Sequence, residues 1–388
     1  MLKLSKPQSQ QLLHQNKSPL YVYSRSELQA QAKSVAQIEG PFGFLASYAM
    51  KANPHPEILR LFKKAGMGID ASSSYEVMKA LDAGFDPALI TLTSQQLPEN
   101  LAEVIDAGVE FNACSLHQLR EYCRLYPNTN VGVRINPGMG SGTYSRVTTG
   151  GVGASFGIWH EYIDEVLEMT QKSGVVVTRL HTHIGSGADT EKWLGVINKN
   201  LELVNQLPEV THLNLGGGFK YDRMNPDNSA DIPAIIAAAN KELEEYANNT
   251  DRKLQLEIEP GTWMVAGAGS LLCNVIDVKD TGKDGYRFAV VNTGMNDIIR
   301  PAMYGAQHPI TVHSDAEPVD LLVAGHNCES SDMFTIAEGD PETLAPRLLP
   351  EPAIGDIVEI GGVGAYCAGG FRPIGYNSFP PAKEIFTD

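Results

Sequence analysis

"VVVTRLHTHIGS", residues Val175 to Ser186, decides the architecture. Three valines in a row and Leu180 suit a strand covered on both faces, and the run breaks at Gly185 and Ser186 as soon as His181 and His183 have emerged from it. Helix-like spacing of apolar residues precedes it at Tyr162–Lys172 and follows it at Lys192–Leu207. Seven further runs obey the same grammar: "GFLASYAMKA" (43–52), "GMGIDAS" (66–72), "ALITLTS" (88–94), "VEFNACS" (109–115), "NVGVRINPG" (130–138), "VTHLNLGGG" (210–218) and "KLQLEIEPG" (253–261). Helix candidates lie between them at Pro56–Lys64, Ser74–Ala83, Leu97–Ala107, Leu116–Leu125 and Ile232–Ala247. Strand then helix, eight times over, predicts an α/β fold of the closed (β/α)8 TIM-like barrel type, its crossover helices on the outside.

Each run ends by turning from apolar to chemically capable: Lys51, Asp70, Ser94, Ser115, Asn136, His183, Gly216–Gly218 and Glu259. In such a barrel these ends share one rim, the rim that carries active sites, so residues far apart in the chain are predicted to converge. Beyond Gly261 the grammar changes. "LLCNVIDVKD", "YRFAVVNTG", "PVDLLVAG" and "DIVEIGG" are strand-like and separated by turns without helices, which predicts a mostly antiparallel β domain starting near Ala266. The early strand-like "SPLYVYSRSEL" (18–28) is expected to pair with it. The predicted organisation is a barrel over 24–265 and a sandwich- or barrel-like β domain made of 1–23 and 266–388. The glycine-rich stretch 136–155 is too long for a tight connection and reads as a mobile loop near the barrel mouth.

Composition sets outer limits. With 388 residues, 43% of them apolar, the chain can bury a sizeable core, and no apolar run approaches the roughly 18 residues of a membrane span. The N-terminus lacks the apolar core of a signal peptide, and five cysteines without a CxxC pair suggest neither a disulfide framework nor a zinc ribbon. These features predict a cytoplasmic, non-membrane protein. A net charge of −16 with no basic run predicts no nucleic-acid partner.

The rim residues admit specific chemistry. Gly216–Gly218 and Gly261 follow the seventh and eighth strands, where barrels build phosphate sites from backbone amides, although three glycines also suit a tight turn. Lys51 at a strand end could be desolvated enough to form a Schiff base with an aldehyde, or could be salt-bridged to Asp70. Strand alternation turns either Glu257 or Glu259 inward, where a carboxylate could hold a proton on a pyridine nitrogen or pair with an arginine on a neighbouring strand. His181 and His183 sit on one side of their strand and could be core residues, a metal pair lacking its third ligand, or a plate against a flat cofactor.

The motifs "YAMKAN", "HTHIGS", "LNLGGGF", "IEPG", "RPAMYGAQH", "NCESSD" and "GAYC", in this order, resemble the pyridoxal-phosphate-dependent decarboxylases of the alanine-racemase-like fold over nearly the whole chain. The resemblance implies pyridoxal 5'-phosphate as cofactor. Lys51 would bind it covalently near Asp70, His183 would stack on its ring and Glu259 would face its nitrogen. The amides of Gly217, Gly218 and Gly261, with Ser186 and Tyr366, would hold the phosphate. It further implies a homodimer with shared sites, in which Cys328 acts as proton donor and Glu329 receives the far ammonium of a small amino-acid substrate. Arg300 and Tyr304, with Tyr366, would hold that substrate's far end. No metal is implied. A carboxylate rather than an arginine at position 259 favours decarboxylation over racemisation. Arg300 favours a substrate with a second carboxylate, hence meso-diaminopimelate giving L-lysine and CO2. The alternatives are ornithine, carboxynorspermidine or a similar precursor, and a racemase. The chain departs from the family in having Thr262 where arginine usually follows Glu-Pro-Gly, and in "ASFG" and "ESSD". Arg146 is a candidate to make up the missing charge.

Overall fold

In the computed structural model, residues 1–140, 149–183, 185–368, 373 and 375–388 are described. They form two compact units: Gln29–Lys220 with Ser229–Met264, and Met1–Leu28 with Tyr221–Asn228 and Val265–Asp388. Strand β1 (Leu20–Ser24) belongs to the second unit. The first contains β2 (Phe44–Ala49), β3 (Gly68–Ala71), β4 (Ile90–Leu92), β5 (Glu110–Ala113), β6 (Asn130–Asn136), β7 (Ile158–Trp159), β8 (Val176–His181), β9 (His212–Asn214) and β10 (Gln255–Ile258). Their order is β5-β4-β3-β2-β10-β9-β8-β6-β7, and β5 pairs again with β6, which closes an eight-stranded barrel with β7 as a short addition beside β6. Every pairing is parallel. The barrel read from the strand-helix rhythm is the barrel observed.

Local sequence explains the joints. Ser73 and Ser115 leave their strands in extended conformation and accept from Glu76 N and Gln118 N, so each caps the helix that carries the chain back. Helices span Pro56–Lys64 and Leu116–Leu125 as the periodicity predicts. The helix expected from Leu97 starts only at Leu101, because Pro98 disfavours helical backbone in the residue before it. Ile232–Thr250 outruns its predicted end and stops at Asp251 in the left-handed region.

Inside the barrel, parallel register stacks polar side chains in layers. Arg179 lies opposite His212 and Gly132, and two residues on His181 lies opposite Asn214 and Arg134. Gly132 is required here, since a Cβ would run into the Asn112 side chain, which donates to Thr93 Oγ1 at 2.9 Å. Arg179 Nε meets Glu257 Oε2 at 2.9 Å, and its Nη1 meets Glu110 Oε2 at 2.9 Å.

The second unit adds β11 (Gly269–Asp280), β12 (Arg287–Val291), β13 (Ile310–Val312), β14 (Pro318–Ala324), β15 (Ile336–Ala337), β16 (Asp340–Leu344), β17 (Arg347–Pro350), β18 (Ile357–Gly361) and β19 (Lys383–Thr387). One eight-stranded sheet runs β13-β18-β11-β12-β14-β17, with β1 beside β11 and β19 beside β1; only β1–β19 and β12–β14 are parallel. The irregular register of β11 between Val275 and Asp277 marks its change of partners, from β1 and β18 to β12. The early strand pairs with the β domain as expected, and the sequence reading had not foreseen β19. A helix at Lys6–Gln15, closed by a reciprocal Ser5/Gln8 cap, places Leu12 and Leu13 against the core of Leu4, Leu20, Val22, Leu272 and Ile357. Among the described residues no helix is long and apolar enough to cross a membrane.

Candidate active site

The residues at the barrel's strand ends act on one another electrostatically, as convergence requires. Lys51, Asp70, Arg134 and Glu259 all bear on the Cys114 thiol, which burial raises to about 11. Asp70, one residue before the end of β3, lies opposite Ala49 of β2 and is buried, with Oδ1 lacking any hydrogen bond. Burial first, and then the charge of Glu259, raise its carboxyl well above the ordinary range.

Glu259, one residue past β10, is held differently. His181 Nε2 lies 2.9 Å from its Oε2 and Asn214 Nδ2 donates to its Oε1 at 2.8 Å. Burial alone would raise this carboxyl, but the charge and hydrogen bond of His181, then Lys51 and Arg134, bring it below the ordinary value. Two buried carboxyl groups are thus driven apart: Glu259 stays ionised while Asp70 tends to keep its proton. The alternation expected to choose between Glu257 and Glu259 does not, because both are buried in the barrel. Arg179 chooses, by neutralising Glu257.

The histidines also part company. β8 ends at His181, so strand alternation no longer governs His183. His183 is half-buried and its Nδ1 accepts from Gly217 N at 2.9 Å. Burial, followed by the positive charges of Arg134 and Lys51, holds its imidazole well below the usual value and therefore neutral. Among the described residues no group of three His, Cys, Asp or Glu side chains could hold a metal ion.

Lys51 is on a short 3-10 turn, Met50–Ala52, beyond the end of β2, and its side chain is exposed. Its two neighbours in the turn, Met50 and Ala52, are buried.

The glycine turn forms a cradle. Gly216 and Gly218 adopt φ of 68° and 100°, and a Cβ at Gly218 would strike the Gly185 carbonyl. Gly217 N–H, expected among the phosphate donors, is already given to His183. Among the described residues, the amides of Gly218 and Gly261 make no hydrogen bond, which leaves two backbone donors for an anion. Gly261 is also close-packed, since a Cβ would lie 3.2 Å from that of Ala49. Ser186 is half-buried beyond His183. Other strand-end residues are structural: Ser115 caps its helix, and Asn136 ties together Gly138, Gly151 and Ala154 of the long loop. Residues 141–148 of that loop, Arg146 among them, lie outside the described residues.

A model of the pyridoxal-dependent decarboxylase pyridoxal-binding domain matches residues 25–266. The chain belongs to the pyridoxal-dependent decarboxylase family. This decarboxylase is 33% identical to the diaminopimelate decarboxylase of Streptomyces coelicolor over 383 residues, covering 96% of this chain and 84% of that one. A diaminopimelate decarboxylase crystal structure superposes with a TM-score of 0.90 at 30% identity, covering 99% of this chain and 92% of the other. The Helicobacter pylori diaminopimelate decarboxylase complexed with L-lysine gives 0.85 at 26% identity, covering 98% and 94%.

In the second unit of the decarboxylase, Cys328 is exposed while the other four cysteines are buried. Its amide donates to Asn377 Oδ1 at 2.9 Å. Glu329 accepts from Ser331 N at 3.3 Å and from Tyr376 OH at 3.1 Å, which in that order hold its carboxyl below the ordinary value. Behind both, Asp332 accepts from Asn327 N at 2.9 Å and Met295 N at 2.6 Å, fixing the loop. Arg300 and Tyr304 begin and end one short helix. Arg300 Nη1 lies 2.9 Å from His308 Nε2. Tyr366 is half-buried at φ 56°. The sequence reading missed Asn214, Arg134 and the His181–Glu259 pair; the shared parity of Arg134 and Asn136 on β6 was the available signal for Arg134.

The opposed carboxyls make a stability prediction. The native state keeps a proton on Asp70 that the unfolded chain loses near pH 4, so stability falls as pH rises from there toward the raised native value. Asp70→Asn removes that cost. At pH 8 the barrel is expected to gain on the order of 1 kcal/mol, or a rise of about 2–4 °C in melting temperature, and to lose the decline above pH 4. An unchanged melting profile would refute the buried-proton assignment.

Proposed function

We propose that the protein is a pyridoxal-phosphate-dependent diaminopimelate decarboxylase, converting meso-diaminopimelate to L-lysine and CO2. The observation that carries the reading is Glu259, a buried carboxylate kept ionised by His181 and Asn214 at the barrel rim. The residues suit the cofactor: an accessible amine at Lys51, a neutral flat imidazole at His183, two unspent amides at Gly218 and Gly261, and an orphaned Asp70 oxygen. When bound, the cofactor supplies an electron sink for cleavage of the bond to CO2.

In this reading Lys51 Nζ is the amine that would hold the cofactor covalently. Glu259 would keep a proton on the ring nitrogen, and the neutral imidazole of His183 would cover the ring without competing for that proton. Gly218 N–H, Gly261 N–H and the hydroxyls of Ser186 and Tyr366 bind the phosphate, Gly217 acting instead by orienting His183. Cys328 Sγ delivers the proton that replaces CO2 on Cα, Glu329 receives the far ammonium, and Arg300 with Tyr304 takes the far carboxylate. The assembly is a homodimer in the cytoplasm, with Cys328 and Glu329 serving the partner. Support for the substrate comes from relatives at 31–33% identity that are diaminopimelate decarboxylases.

Protein loaded with pyridoxal phosphate should release CO2 from meso-diaminopimelate with kcat/KM at least about 100-fold above that for L-lysine or L-ornithine, as expected when a charged group is specifically received. Turnover of ornithine or carboxynorspermidine but not diaminopimelate would sink the substrate assignment. Exchange of the α-proton with deuterium without CO2 release would sink the decarboxylase. A fully active species sedimenting as a monomer would remove the dimer.

A further inference from the structure

The unit of Met1–Leu28, Tyr221–Asn228 and Val265–Asp388 contains a cluster of cations only one of which, Arg300, has so far been given a role. His308 is at its centre. Its Nδ1 is 3.0 Å from the Gly361 carbonyl and must carry the proton, leaving Nε2 to accept from Arg300 Nη1 at 2.9 Å. Arg347 Nη1 donates to the His308 carbonyl at 2.5 Å. One residue along the chain from Gly361, Gly362 O accepts from Arg223 Nε at 2.7 Å, and Ala365 O accepts from Arg223 Nη2 at 3.4 Å. Burial, then Arg300, Arg223 and Arg347, hold His308 far below its usual value, so three guanidinium charges bear on one neutral imidazole.

Arg223 is only 7% exposed, and both its hydrogen-bond partners are carbonyls. Among the described residues, the groups that act on it most strongly are Arg300, Cys367, Tyr221 and Tyr366, and none of these is a carboxylate. Burial and the Arg300 charge together bring it down to about 9. A cation removed from water with no anion beside it is costly, and a neutral amide side chain could have tied the same two carbonyls. The stem of Arg223 is accommodated by Gly362 at φ 67°, where a Cβ would come within 3.0 Å of Arg223 Cγ. Nη1 takes part in none of the described hydrogen bonds and is not among the sealed, unsatisfied atoms, so a donor edge is left for an incoming acceptor. Arg223 and His308 together grip the peptide that leads to Tyr366.

We propose that Arg223 is a specificity-determining residue that, with Arg300, forms a two-guanidinium subsite for the second carboxylate of the substrate. The assignment rests on the decarboxylase reading above. A carboxylate presents two oxygens and suits paired guanidinium donors, whereas a substrate ending in an ammonium alone would be repelled by them.

The test compares meso-diaminopimelate with L-lysine, which lacks only that carboxylate, in wild type, Arg223→Met and Arg223→Lys. Pimelate, a dicarboxylate of the same chain length, serves as a competitor, and its effect on the melting temperature reports binding without turnover. The ratio of kcat/KM values, diaminopimelate over lysine, should fall about 10- to 100-fold in R223M, chiefly through KM for diaminopimelate, with loss of pimelate inhibition and stabilisation. R223K should recover most of both by restoring the charge. An R223M variant that slows both substrates equally, or that keeps pimelate binding, would show a structural clasp and overturn the assignment. Should R223M fail to fold, the same ratio in R223K and Arg223→Gln decides: equal ratios overturn the proposal and a deficit confined to the neutral variant supports it. A wild type that ignores diaminopimelate would overturn the parent reading and this one together, whereas a preference that survives R223M overturns this one alone.

Discussion

Lys51→Ala is expected to lower CO2 release from meso-diaminopimelate by about ten-thousand-fold or more, while the protein remains folded. The side chain is exposed on its 3-10 turn and flanked by buried Met50 and Ala52, so truncation opens no cavity in the core. What it removes is an amine near two carboxyl groups, Asp70 and Glu259, both of which its charge pulls downward. The fold should lose at most about 1 kcal/mol from that missing charge. Wild type loaded with pyridoxal phosphate should show an absorbance band near the visible edge that borohydride abolishes; the variant should lack it. Partial recovery by added primary amines would separate a chemical role from a structural one. A variant within tenfold of wild type, or one that keeps the borohydride-sensitive band, would end the assignment of Lys51.

Glu259→Gln has the next largest expected effect, a loss of about 100- to 1,000-fold in turnover, equivalent to roughly 3–4 kcal/mol of barrier. The amide is nearly isosteric, so the cause is charge and donor polarity rather than space. Glu259 accepts at both oxygens, from Asn214 Nδ2 and at 2.9 Å from His181 Nε2. A glutamine can accept only one of these bonds and must aim N–H groups at the other partner. If it faces His181, that ring must surrender its Nε2 proton and hold one at Nδ1, a buried atom with no partner. The variant also cannot keep a cofactor nitrogen charged, and the field that pushes Asp70 upward disappears. Single-turnover CO2 release measures the chemical step, and Glu259→Asp should lie between wild type and the amide. Turnover of the amide variant within tenfold of wild type would mean that the carboxylate is not what drives decarboxylation.

Much of the candidate site was legible as positions and little of it as partnerships. Lys51, Asp70, His183, Gly218 and Glu259 stand where apolar strands give out, a pattern that depends on neighbours in the chain. Gly217 shows the limit: three glycines announce free amides, yet its own is spent on His183, which lies 34 positions earlier. Cys328 shows another. Isolated cysteines favour burial, but a loop built on Asp332 holds this one at the surface.

By itself the sequence determined the barrel, its helices and the addition of a mostly antiparallel domain. Hydrophobic periodicity, serine caps and turn glycines act over a few residues and can be read in order. Only the tertiary structure decided which acid is free to act. Glu257 lies in β10 and Glu259 one residue past its end, and the two are equally buried. Parallel register across β8, β9 and β10 gives Arg179 to the first, and His181 to the second. Arg223 was invisible for the same reason: a loop arginine acquires meaning only when folding buries it beside Arg300 and supplies carbonyls in place of an anion. Charge pairing depends on distances across the fold, and those are set by strand register rather than by neighbours in the chain.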